Sequence, residues 1–148
     1  MSEEQIFQRV VLKDFNQPAP NGLMYDLDHK DSQLAIKAFC EKKVIFGEHG
    51  QPGFIPSMSQ EERIKRGMTI DLSRVIVHIK DPFFTSTDKK LYAYVKFANN
   101  SPISMQDLLE NKVCFGMRSV SEFRNNDPEK KGLILKNIVT FDIINPGG

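Results

Sequence analysis

Three consecutive stretches decide the fold: KVCFGMRSV at residues 112–120, NNDPEKKG at 125–132 and LILKNIVTFDII at 133–144. The first and last read as strands, and the middle one, with Asn, Asp, Pro and Gly together, reads as the turn between them. Outward from this pair the same texture continues. Leu91 to Phe97 alternates Leu91, Ala93, Val95 and Phe97 with Tyr92, Tyr94 and Lys96, which predicts a strand over a two-sided surface. Ile70 to Lys80 reads as a strand around Val75, Ile76 and Val77, with Asp81-Pro82 and Thr85 to Lys89 turning the chain. Gln5 to Asp14 is a first strand, Asn16 to Gly22 a loop, and Val44 to Phe46 a short buried strand ended by Gly47.

Helices are fewer. Asp28 to Lys43 predicts one, capped by Asp28 or Asp31, with Leu34, Ala35, Ala38 and Phe39 on one face. Within the long connection Glu48 to Met68, Ser59 and Glu62 form a capping box that starts a short helix from Gln60 to Arg66. Ser104 caps another through Glu110. Mostly strands with one good helix and two short ones predict an α+β fold. The expected architecture is a bent, mainly antiparallel sheet or partly open barrel with peripheral helices.

The chain has 148 residues, which predicts a single domain over 1–148. Hydrophobic residues make up 40% and charged residues 26%, the balance of a globular chain rather than a disordered one. Twenty basic residues against nineteen acidic ones leave +1, so no nucleic-acid partner is expected, although a local basic patch remains open. The start, MSEEQ, is polar and acidic and reads as no signal peptide; no apolar run approaches the ~18 residues of a membrane span. Cys40 and Cys114 form no disulfide framework. Neither they nor His29, His49 and His78 have metal-ligand spacing, so no metal or cofactor is expected. Taken singly, His78 reads as a strand histidine, EERIKR as a solvated helix face, Tyr92 and Tyr94 as sheet packing rather than base stacking, and Cys40 as a core residue.

Three segments say more in combination. The first is Asn21-Gly22-Leu23-Met24-Tyr25, then the helix, then Phe46-Gly47-Glu48-His49-Gly50-Gln51-Pro52. The second is Ile70-Asp71-Leu72-Ser73-Arg74-Val75. The third is Val113-Cys114-Phe115-Gly116-Met117-Arg118-Ser119, followed by Ile138 to Pro146. In this order and spacing the chain resembles the head maturation (prohead) proteases of tailed bacteriophages, a family related in fold to the herpesvirus maturational proteases. The resemblance runs over about residues 20 to 146. It implies the prohead-protease fold, a catalytic histidine in a G-E-x-x-H-P segment, a nucleophilic serine in a later strand, and a closing strand carrying an aspartate.

The departures fall on the catalytic positions. Without gaps, Gln51 stands where the family has its histidine, and Gly116 where it has its nucleophile. Glutamine is no base near neutral pH, and glycine has no attacking atom. A rival frame fits Cys114-Phe115-Gly116-Met117-Arg118 to a Ser-hydrophobic-Gly-hydrophobic-Arg pattern, with Cys114 as nucleophile and His49 as base. The frames differ by about 6.6 Å along the strand. In the ungapped frame Gln51 and Gly116 face each other and His49 points elsewhere. Asp142 matches the closing aspartate, either orienting a base or serving as an ordinary inward or edge residue. Arg118 would assist an oxyanion site in an active member, or else pair with an acid such as Glu48.

These readings imply a non-catalytic phage structural protein binding capsid or scaffold, as a head decoration or core component, with self-association open. It would reside in the virion head after assembly in the host cytoplasm. The alternative they leave is an active maturation protease that cleaves scaffold and capsid precursors with a Cys114–His49 pair.

Overall fold

A computed structural model describes residues 6–18, 22–50, 57–123 and 132–146. Strands dominate. Strand β1 spans Gln8–Asp14, β2 Met24–Tyr25, β3 Ile45–Glu48, β4 Val75–Thr85, β5 Lys90–Phe97, β6 Cys114–Phe123 and β7 Gly132–Ile144. The helices are α1 at Lys30–Cys40, α2 at Gln60–Met68 and α3 at Met105–Leu109, with one 3-10 turn at Leu72–Arg74. They form two sheets, one ordered β1-β5-β4-β3 and the other β2-β7-β6. All pairings are antiparallel except the two-residue contact of β2 with β7. The α+β expectation holds, with two open sheets in place of a single bent one and no closed barrel.

The alternation in β5 does what it predicts. Leu91, Ala93 and Val95 are fully buried, while Tyr92, Tyr94 and Lys96 occupy the other face. Helix α1 covers the core side through Ala35, Ile36 and Phe39, and the Phe39 ring meets Phe141 of β7 edge-on at 5.5 Å. The buried stripe is Ser32, Ala35, Ile36 and Phe39, a register different from the expected one; Leu34 and Ala38 are exposed. A polar residue inside that stripe conceals it from a hydrophobic-periodicity reading. The Ser32 hydroxyl is satisfied by accepting the Leu135 N–H at 3.0 Å. The helix cap is His29, whose Nδ1 accepts from the Asp31 N–H, and not either aspartate.

Three further boundaries move for local reasons. Asp81-Pro82 does not turn the chain. Strand β4 continues through it with a register shift between Lys80 and Phe83 and a positive φ of 50° at Asp81, since a bulge tolerates a residue without an N–H. Residues 70–74 are not strand, because the Asp71 carboxylate captures the Ser73 N–H and winds a 3-10 turn. Strand β3 begins one residue later than expected and runs on to Glu48, leaving Val44 exposed.

Strand β3 crosses β7 closely at Gly47. A β-carbon there would collide with the Phe141 carbonyl oxygen and the Val77 side chain. That approach sets the residue after Gly47 directly against β7, where the charged site lies.

Candidate functional site

Strand β6 pairs with β7 so that Cys114 stands opposite Ile144, Gly116 opposite Asp142 and Arg118 opposite Thr140. Directly opposed residues project to the same side of a sheet, so these six share one face. Phe141 and Ile143, on the other face, are in the core. Strand β3 lies against the polar face. The Thr140 hydroxyl donates to the Phe46 carbonyl at 2.6 Å, and the Glu48 N–H donates to Asp142 Oδ1 at 3.0 Å.

Two carboxylates are thereby enclosed: Glu48 and Asp142 have no exposed side-chain surface. Unpaired, each would cost several kcal/mol. Arg118 lies between them. Its Nε donates to Asp142 Oδ2 at 3.0 Å, and Nη2 donates to Asp142 Oδ1 at 2.8 Å and to Glu48 Oε2 at 3.0 Å. Its Nη1 donates to the carbonyls of Thr69 at 2.8 Å and Gly67 at 3.3 Å. A guanidinium has five N–H donors, and these five bonds use all of them.

Glu48 is held from a second side. Arg66 grips it with both Nη atoms, at 2.6 and 3.1 Å, the Asp71 N–H donates at 2.9 Å, and Arg74 Nε lies 3.4 Å away. Burial pushes its carboxyl upward, but the hydrogen bonds from Arg66, Asp71 and Arg118 outweigh it and bring the pKa down to about 2. The sequence accounts for the arrangement locally. The Ser59–Glu62 capping box starts α2 as expected, and the helix delivers Arg66 at its far end. Arg66 is the inward member of the otherwise solvated EERIKR face.

Of the expected catalytic residues, Arg118 and Asp142 are bonded to each other, while Cys114 and His49 line different hollows. Cys114 is half-buried and lines a groove of about 430 Å³ with β1 and with Leu108 and Leu109. Burial raises its thiol pKa. His49 lines a separate cleft of about 280 Å³ with Ile103, Ile143 and Asn145. Its backbone is fixed by Arg74, whose carbonyl accepts the His49 N–H at 2.9 Å and whose guanidinium donates to the His49 carbonyl at 2.5 Å. Among the described residues no hydrogen bond joins the His49 ring to the Cys114 thiol. Gly116 is buried opposite Asp142, and Gln51 lies outside the described residues. Among the described residues no cluster of His, Cys, Asp and Glu could hold a metal.

Of the two roles the sequence leaves open for Arg118, pairing with an acid such as Glu48 is the one present. Arg66, Thr69, Asp71 and Arg74 are not anticipated by it. The available signal was an acid inside the apolar run Ile138–Ile144 and another ending β3, since a charge in a buried strand requires a cation.

The arrangement of the two open sheets is similar to the fold of a phage capsid assembly protease. The chain aligns with the structure of the bacteriophage T4 capsid assembly protease, gp21, at a TM-score of 0.57 and 12% identity, over 94% of this chain and 77% of that one. The sequence model of the peptidase S80 family matches residues 2–148, and the chain belongs to that family. No curated protein sequence matches it. The resemblance expected from the three ordered segments is borne out at the level of family and fold.

Proposed function

We propose that this chain is a non-catalytic member of its family, a single-domain phage head protein that binds capsid or scaffold protein. The observation that carries the reading is the saturation of Arg118. An oxyanion donor needs an N–H aimed at the reacting oxygen. Arg118 directs all five of its donors at Glu48, Asp142, Gly67 and Thr69. Asp142, which would orient a base, instead accepts from Arg118 and from the Glu48 backbone. Gly116 supplies no nucleophile in one frame. In the other, Cys114 has a thiol pKa raised by burial, opposite to what a thiolate nucleophile requires. A peptide cleft without its reaction leaves a binding module, and binding of extended peptide along a strand is the mode such a cleft supports.

The test is co-sedimentation of the purified protein with capsid shells and with scaffold protein, followed by mass spectrometry of mature particles. Binding to either, with the protein retained in the heads, is the expected result. Absence from both would remove the proposed role.

A further inference from the structure

The outer face of the four-stranded sheet has a composition that the peptide-binding reading does not use. Its side chains fall into three rows, set by register. Arg9, Tyr94 and Lys80 lie side by side across β1, β5 and β4. Val11, Tyr92 and Phe83 form the row on one side, with the Phe83 and Tyr92 rings stacked at 5.2 Å. On the other side Lys96 pairs with His78 and His78 with Phe46, and the Lys80 and Lys96 ammonium groups stand 4.2 and 5.4 Å from the Phe7 ring.

These three rows interleave rings with cations and hold no carboxylate; the next row on the same face, toward the β4–β5 turn, is Asp14, Lys90 and Thr85. Three positive charges sit within the three rows, in a chain whose total is only +1. Arg9 and Lys80 are exposed, and the rings are half-buried against each other and against the cations. Helix α1 packs on the opposite face of the sheet. Among the described residues, two acids stand at the margin toward that turn: Asp14, opposite Lys90, and Asp88 in the β4–β5 turn itself, which accepts from the Tyr92 hydroxyl at 2.6 Å and from Thr85.

From this arrangement we propose that the outer face of the β1-β5-β4-β3 sheet binds single-stranded nucleic acid, with bases on the Tyr94 and Phe7 side of the rows and phosphates on Arg9, Lys80 and Lys96. Charge complementarity selects a polyanion. Rings at alternate positions on the central strands of an antiparallel sheet provide the platform on which unpaired bases stack. An acidic protein segment would use the cations and leave the rings without a role. The balanced total charge conceals this surface, because among the described residues no acid falls within these three rows.

The experiment titrates the full chain with labelled oligothymidylate of about 12 nucleotides, a length suited to one small binding face. Anisotropy gives affinity. Tyrosine emission reports stacking, since the chain has no tryptophan and Tyr92 and Tyr94 are two of its three tyrosines. The expected result is binding with quenched emission and a log–log salt slope of about −2, from three phosphate contacts on a single strand. Tyr94→Leu should weaken binding roughly tenfold. Lys80→Ala should weaken it at low salt and reduce the slope by about 0.7. Because Tyr94 is half-buried, the exposed Arg9→Ala is the second variant, with the same loss of slope expected. No binding at low salt, or affinity unchanged in Arg9→Ala and Lys80→Ala, would overturn the proposal. So would equal affinity for polyglutamate with no quenching, which would mark the face as a site for acidic protein.

Discussion

At the β3–β7 junction Arg118 is enclosed by Glu48, Asp142 and two backbone carbonyls, whereas on the outer sheet face Arg9, Lys80 and Lys96 stand among aromatic rings with no acid in their rows. The difference is one of where the donors end. At the junction every N–H of the Arg118 guanidinium finishes on the protein itself, so the charge fixes structure. On the sheet face, among the described residues, the cations meet the quadrupole of a ring, an attraction of about 0.5–1 kcal/mol. An arginine whose donors all end on the protein holds the fold together, while cations that end on rings leave their donors free for a ligand.

The largest effect that would break this comparison comes from Arg118→Ala. Glu48 and Asp142 would stay buried with their shared cation removed, and chemical denaturation should register a loss of about 3–5 kcal/mol. Arg118→Lys should recover little, because an ammonium cannot reproduce the fork between two carboxylates. A loss under 1 kcal/mol would mean the junction is not the anchor described.

Acid comes next. Glu48 has a folded pKa of about 2 against an ordinary 4.5. The unfolded chain therefore takes up this proton first as pH falls. The stabilisation is complete above about pH 4.5 and disappears as pH drops to about 2, for a total of about 3 kcal/mol. Stability curves at several pH values, compared with those of Glu48→Gln, isolate this contribution; the variant should lack it in that window. Gly47→Ala should cost about 2 kcal/mol, since the added carbon meets a backbone carbonyl that cannot swing aside. Ser59→Ala removes the capping box that starts the Arg66 helix and should cost about 1 kcal/mol by thermal melting. Smallest is the thiol. Burial raises the pKa of both Cys40 and Cys114, so iodoacetamide labelling followed by mass spectrometry should find neither cysteine faster than a free thiol at neutral pH.

How legible this was in the sequence varied with the physics of each part. Strand β5 was readable because alternation is a local signal, and β6 and β7 from their apolar runs; the turn expected at 125–132 lies, but for Gly132, outside the described residues. The caps at Ser59 and Ser104 were readable too, where a serine and an acid three residues on close the box. The face of α1 was misread because Ser32 occupies a core position by bonding to Leu135, 103 residues away. The run past Asp81-Pro82 was misread because a bulge, rather than a turn, absorbed the proline. At the site, the Arg118–Glu48 pair could be anticipated from two charges within apolar strands. Arg66 could not be singled out within EERIKR, since its partner lies 18 residues back and only the crossing of β3 over β7 brings them together. The sheet face shows the same limit: its three cations are scattered from residue 9 to residue 96, and register alone assembles them.

The account turns on whether the saturated junction excludes proteolysis. The direct measurement incubates purified wild-type protein, Cys114→Ala and His49→Ala with scaffold and capsid precursors and reads the products by mass spectrometry. The account predicts intact precursors in all three. Cleavage by the wild type that disappears in Cys114→Ala or His49→Ala would contradict it and establish the Cys–His protease instead.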